Sequence, residues 1–303
     1  MHILLLFLDG VGIGSDDPAI NPFFAASLPT FRSLLGGSLP SFANQRFETR
    51  EATLVPLDVT FGIKGLPQSG TGQMALFTGA KAPVLFGRHF GPYPPVELRD
   101  ILEKKNLFKQ FQKRGRRVSF VNAYPRQFFQ YVDTGTLRLT VTTLSCLLSG
   151  VPLRQYSDLI RGRALSSDII NARWRELGYE HLPIITPETA GKRLARLVNE
   201  NFFTLFEFYL TDHAGHSQER AWAIDVLERY DRFLAGLLKE VNLRTTLVVL
   251  TSDHGNIEDL STRTHTSNPV PLLLVGRGRK LVAKRAKTIA DVAPALLHLA
   301  DTL

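Results

Sequence analysis

Apolar residues in this chain fall in short continuous runs rather than in strict alternation. Residues 3–8 (ILLLFL) form the first, ended by Asp9-Gly10. Others occupy 118–121, 202–210 (FFTLFEFYL), 246–250 (TLVVL) and 271–275 (PLLLV). A run that is apolar at every position predicts a strand covered on both faces, as in a parallel sheet. Between the runs, apolar positions recur at helical spacing over about 97–113, over 188–200 after Pro187, over 217–240 and over 288–300. In the third of these Trp222, Ile224, Leu227, Tyr230, Leu234 and Leu237 recur at that spacing. Strands alternating with helices predict an α/β fold with a mostly parallel central sheet flanked by helices.

The middle of the chain breaks this rhythm. Residues 91–95 (GPYPP) interrupt regular structure with their prolines, and 125–175 mix polar and apolar residues without a strand pattern. The expected organisation is a core of 1–123 plus 187–303, with a mainly helical insertion or cap over 124–186.

Composition narrows the partners. A chain of 303 residues can bury a large core in one or two domains. A formal charge of +8 attracts anions. The basic clusters, Lys113 to Arg117 and Arg277 to Lys287, lack the interleaved aromatics that stack bases, so they read as solvated surface and no nucleic-acid partner is expected. The single cysteine, Cys146, allows no intrachain disulfide and suits a reducing cytoplasm, the expected location. The first apolar run is far short of the roughly 20 residues a bilayer requires, and it lacks a basic leader, so no membrane partner is expected.

Candidate chemistry sits at the ends of the apolar runs. Asp9, Asp212 and Asp253 each follow one closely, and ligands in open α/β sheets gather beyond the carboxyl ends of strands. One such aspartate alone is ordinarily a turn former. Three of them, two with nearby histidines, point to a shared site. Asp212 and His216 are spaced to share a helical face and grip one cation, leaving His213 aimed elsewhere. Asp253 and His254 are adjacent, with Gly255 supplying backbone freedom at the bend, and His265 follows in a polar loop. Mixed histidine and carboxylate ligation suits zinc, manganese or iron better than calcium. Residues 65–80 (GLPQSGTGQMALFTGA) read as a glycine-rich turn entering a helix. A hydroxyl there, from Ser69 or Thr71, would lie at the positive end of the helix dipole, where an anionic group is stabilised.

Together these residues resemble the alkaline phosphatase superfamily, and within it the cofactor-independent phosphoglycerate mutases and phosphopentomutases. Asp9-Gly10 with Gly12 and Gly14 is similar to that branch's DGxG strand end, and Asp212 through His216 to its DxxGH element. Asp253 to Asn256 matches DHGN, and His265 to Pro271 (HTSNPVP) is very close to HTxNPVP. Residues 289–294 look like the superfamily's final helix. The likeness covers about 1–80 and 200–303. It implies an alkaline phosphatase-like core and two divalent metal ions, zinc or manganese. One would be held by Asp9, Ser69, Asp253 and His254, the other by Asp212, His216 and His265. It also implies Ser69 as nucleophile, with Thr71 as the alternative, and a small anionic phosphorylated substrate. Two departures matter: Gln73 stands where the mutases carry histidine, and the chain has no room for their large second domain. The expected activity is therefore phosphate-ester hydrolysis through a phosphoseryl intermediate. A phosphomutase of a small sugar phosphate is the first alternative, and a catalytically inactive metal-binding or regulatory protein the second. Specificity is expected from the middle segment, where Arg88, His89, Arg126, Arg154, Arg161 and Arg163 are candidate anion contacts.

Overall fold

A computed structural model of the chain describes residues 1–133 and 138–302. Residues 134–137 of the expected insertion lie outside the described residues. The strands are β1 (His2–Leu8), β2 (Phe47–Glu48), β3 (Ala52–Leu57), β4 (Val118–Phe120), β5 (Phe203–Phe208), β6 (Thr246–Thr251) and β7 (Val270–Gly276). Among the described residues they form one seven-stranded sheet in the order β2-β3-β7-β6-β1-β5-β4. Four neighbouring strands on one side of the sheet, β6-β1-β5-β4, are parallel, while β7 runs antiparallel to both β6 and β3.

The uninterrupted apolar runs have a plain cause. Ile3, Leu5 and Phe7 point into one apolar core, and Leu4, Leu6 and Leu8 into another on the opposite face of the sheet. The first core is covered by the helices Ser69–Thr78 and Val292–Asp301, the second by Pro187–Asn199 and Arg220–Glu240. A strand buried on both faces has no position at which a polar residue faces water. No helix among the described residues is long and apolar enough to cross a membrane.

Three local readings differ from the pattern. The helix expected over 97–113 is two, Arg99–Lys105 and Leu107–Lys113. Asn106 is extended (φ −60°, ψ 149°), and its side chain accepts from the Lys109 amide at 3.0 Å, capping the second helix. The helix expected from 217 begins at Arg220 because Gln218 turns left-handed (φ 58°) and closes a separate helix, Leu210–Ser217. The pair β2–β3 was not expected at all. Pro56 interrupts its pattern and stands opposite Pro271 on β7, where neither residue can donate a ladder hydrogen bond.

Within 124–186 the described helices are Arg126–Asp133, Val141–Leu148, Tyr156–Ile160 and Ala172–Glu176. Leu159, Ala164, Trp174 and Leu182 form a small apolar cluster with Ala123, whereas Val141, Leu144 and Cys146 join the core under Ile3, Leu5 and Phe7.

Candidate metal centre

Because β6, β1 and β5 are neighbours, their carboxyl ends bring Asp253, Asp9 and the helix bearing Asp212 to one edge of the sheet. The chain turns sharply after Asp9. Gly10 is left-handed (φ 69°), and a Cβ there would lie 2.6 Å from Asp212 Oδ1, so a side chain would push the two aspartates apart. Gly255 is a glycine for a different reason from the bend expected. Its φ is not positive; a Cβ would instead strike Glu258 Oε1 and Thr266 Oγ1.

Asp212, His216 and His265 form one cluster. His216 Nε2 lies 3.3 Å from Asp212 Oδ2, and His265 Nε2 lies 3.7 Å from Asp212 Oδ1. Each ring turns its other nitrogen to a backbone carbonyl: His216 Nδ1 to Arg263 O and His265 Nδ1 to Pro67 O, both at 2.8 Å. A carbonyl only accepts, so each Nδ1 carries a proton, and a ring that is neutral then has its lone pair on Nε2. The two Nε2 atoms lie 3.2 Å apart. The hydrogen bond to Asp212 raises His216 above its ordinary value, so a proton on His216 Nε2 fills, without metal, the place a cation would take between Asp212 and the two rings. Orienting ligand histidines through Nδ1–H to a carbonyl is how metal sites fix the tautomer.

Asp9, Asp253, His254 and Ser69 form the adjoining set. His254 Nε2 lies 2.9 Å from Ser69 Oγ, 3.3 Å from Asp9 Oδ1 and 3.5 Å from Asp253 Oδ2. Asp9 Oδ1 and Asp253 Oδ2 are buried without a hydrogen-bond donor, as suits carboxylate oxygens that hold a cation. Asp212 also lies within reach of Asp9 and His254, so it stands between the two sets. Gln73, at 3.3 Å, donates to Asp9 Oδ2.

The electrostatics favour a dication. Burial, with the charges of Asp253, Asp212 and Glu207, pushes Asp9 well above the usual carboxylate range. Burial and the Asp212 charge raise Asp253 to about 8. Burial alone would raise Asp212 too, but hydrogen bonds from His216 and the Asn256 amide hold it low. Burial and His265 lower His254 to about 3, which keeps its ring neutral and able to donate a lone pair.

Ser69 and Thr71 have different surroundings. Ser69 begins the Ser69–Thr78 helix and faces His254. The Thr71 hydroxyl is fully buried against Phe90, accepting from its amide at 3.1 Å, while the Thr71 amide donates to Phe90 O at 2.8 Å. His213 lies against Tyr209, ring centroids 5.1 Å apart, outside the ligand set. Of the candidate anion contacts, Arg163 is paired with Asp158 at 3.3 Å and Arg154 donates to Ser119 at 3.2 Å. Arg88 and His89 line a groove with Lys64 beside Gln68, the residue before Ser69.

Two carboxylates carry weight that the motifs did not assign. Glu258 is fully buried and accepts from the amides of Gly12 and Asn256, both at 2.8 Å, from Thr266 Oγ1, and from Asn268 Nδ2 at 3.0 Å. It thus ties together the three loops that carry Asp9, His254 and His265. Glu258→Gln, which cannot accept all four bonds, is expected to lower metal affinity by about 10–100-fold, as loss of outer partners commonly does. Titration of zinc against a competing chelator measures it, and unchanged affinity would show that the loops hold without this carboxylate.

Glu207 is the second. It lies in β5, accepts from Thr142 Oγ1 at 2.8 Å, and is raised by burial from 4.5 to about 7. A carboxyl raised on folding binds its proton more tightly in the native state. Below about pH 4.5 it is protonated in both states and costs nothing. The cost grows as pH rises and is complete above pH 7, on the order of 3 kcal/mol. Glu207→Gln is therefore expected to stabilise the fold at pH 8 and leave it unchanged near pH 4. Denaturant midpoints at the two pH values test this, and equal gains at both would exclude the charge as the cause.

A hydroxyl at a helix start, set against clustered histidines and aspartates at the carboxyl edge of a parallel core, is the architecture of a metal-dependent enzyme. A family profile described as the metalloenzyme superfamily matches residues 185–302. The C-terminal part of the chain thus matches the metalloenzyme superfamily, and parts of the chain are distantly similar to cofactor-independent phosphoglycerate mutases. It is 28% identical over 137 residues to the 2,3-bisphosphoglycerate-independent phosphoglycerate mutase of Gloeothece citriformis, covering 40% of this chain and 26% of the relative. To the mutase of the same name from Pyrococcus abyssi it is 22% identical over 186 residues, 59% of this chain and 41% of the relative. The chain thus spans less than half the length of these curated relatives. In fold it is similar to a Pyrococcus horikoshii protein (TM-score 0.60, 16% identity, 100% of this chain and 97% of the other). It is also similar to alkaline phosphatase from the Antarctic bacterium TAB5 (TM-score 0.55, 12% identity, 99% and 98%). At these identities the likeness is one of fold alone.

Proposed function

We propose that the chain is a two-metal phosphohydrolase acting on a phosphate ester through a phosphoseryl intermediate. The observation that carries this reading is the convergence of His216 Nε2 and His265 Nε2 on the Asp212 carboxylate, beside a second set in which Ser69 Oγ faces His254. In this reading Asp9, Ser69, Asp253 and His254 hold one divalent ion, zinc or manganese, and Asp212, His216 and His265 the other. Bound there, the ions supply charge stabilisation and lower the pKa of the serine hydroxyl.

The chain's own groups do the rest. Ser69 Oγ bonds to phosphorus as the ester P–O bond breaks. The serine proton is lost to water and the leaving oxygen takes one up. Water then attacks the phosphoseryl group, releasing phosphate and restoring the hydroxyl. Gln73 holds Asp9 in place through Oδ2, and Glu258 fixes the loops. We assign specificity to the 124–186 segment, as a cap on the core formed by 1–123 and 187–303.

The names of the relatives favour a second reading, transfer of the phosphoryl group within a small phosphorylated molecule. A panel of phosphate monoesters and diesters with zinc, manganese and magnesium separates the two. Free phosphate without isomer supports hydrolysis, and isomer without free phosphate overturns it. If no metal binds at all, the enzyme reading fails as a whole.

A further inference from the structure

Beyond the metal centre, a cleft of about 310 Å³ opens between the ends of β4 and β5 and the 124–186 segment. Glu207 lines it, only 6% exposed, with the half-buried rings of Tyr124, Phe128 and Tyr209 and with Arg173 and Glu176 exposed at the rim. The cleft adjoins the reactive edge. Glu207 stands opposite Phe7 in the β1–β5 register, two residues before Asp9, and Tyr209 immediately precedes the Leu210–Ser217 helix.

Glu207 is an unusual occupant of a buried strand. Its one side-chain hydrogen bond is from Thr142, and among the described residues no lysine, arginine or histidine pairs with it. A buried carboxylate costs free energy unless something donates to it, and the open side of this one is the cleft.

We propose that this cleft seats the organic part of the phosphorylated substrate, and that this part is an uncharged ring bearing hydroxyl groups rather than a carboxylate. The inference rests on the phosphohydrolase reading for the reaction, but not for the binding. Above pH 7, where it is ionised, Glu207 accepts hydrogen bonds from hydroxyls and repels a second carboxylate across a poorly solvated gap, so the comparisons below are made at pH 8. The flanking rings offer apolar faces to the CH face of a ring, and the Tyr209 hydroxyl, which accepts from Ser167 at 2.9 Å, keeps its own proton to donate. Glu176 adds negative charge at the rim, which Arg173 balances only once. Phosphoglycerate, the molecule in the relatives' name, carries the carboxylate that this cleft disfavours.

The test compares glycerol 3-phosphate with 3-phosphoglycerate, which differ by a hydroxymethyl group against a carboxylate, and adds glucose 6-phosphate as a ring. With the metal-loaded protein, kcat/KM is expected to rise about 10-fold or more from 3-phosphoglycerate to glycerol 3-phosphate, and again for the ring ester. In Glu207→Gln the first ratio is expected to fall towards one, chiefly through KM. Preference for 3-phosphoglycerate, or a ratio unmoved by the substitution, overturns the proposal. Binding is read separately in metal-free protein carrying Trp222→Phe, where Trp174 in the cleft wall is the sole tryptophan reporter. Glucose is expected to change its emission at lower concentration than glycerate does. If no ester is turned over but glucose binds preferentially, the hydrolase reading falls and the cleft assignment stands. If turnover occurs and glycerate binds as well as glucose, the reverse holds.

Discussion

Ser69→Ala is expected to abolish covalent capture of phosphate and to lower phosphate release by about 1,000-fold or more. The serine hydroxyl at the head of its helix faces the histidine–aspartate cluster, at 2.9 Å from His254 Nε2. Alanine keeps the helix start and removes the reacting atom, so the loss falls on chemistry rather than folding. Acid-quenched protein after incubation with a radiolabelled ester reports the phosphoseryl group directly. Thr71→Val is the companion substitution. It removes the hydroxyl that accepts from Phe90 and is expected to reduce stability while leaving label incorporation intact. If labelling survives Ser69→Ala and is lost in Thr71→Val, the nucleophile is Thr71.

Asp212→Asn is expected to cost more metal than any other single ligand substitution. Its carboxylate lies between the two sets, within reach of His216 and His265 on one side and of Asp9 and His254 on the other. Asparagine keeps the shape and removes a charge that both ions would share. Bound metal measured by elemental analysis is expected to fall at both positions, with metal affinity lowered by more than about 100-fold, beyond the range of outer partners. His216→Ala, by contrast, touches one set alone and is expected to empty one position. Loss of a single equivalent in Asp212→Asn would show that the aspartate serves one ion only.

Much of this geometry was legible in the chain. Runs of apolar residues two-sided in their burial marked the four parallel strands, and the Asp–His spacing at 212 and 216 placed both on one helical face, as the Leu210–Ser217 helix shows. What escaped was of two kinds. The antiparallel part of the sheet was hidden by Pro56, which is tolerated in β3 because β2 pairs only with Thr53 and Leu54 and because Pro56 faces another proline, Pro271. Glu258 and Glu207 escaped because their roles arise from long-range contacts: Glu258 reaches Gly12 across 246 positions, and no local pattern encodes that. Glu207 did leave a trace, as the single charge in FFTLFEFYL, where a fully covered strand has no obvious use for one.

The place of β1 in the sheet has a consequence for synthesis. Its two neighbours are β5 and β6, so its first partner, Phe203, is made about 200 residues after Ile3. At a ribosomal rate of roughly 5–20 residues per second, that is a wait of about 10–40 s. Throughout it, six consecutive apolar side chains and both strand edges have no native cover, the condition under which nascent chains aggregate or recruit chaperones. The reactive edge inherits the same delay: Asp9 meets Asp253 and His254 only after about 240 further residues have been translated.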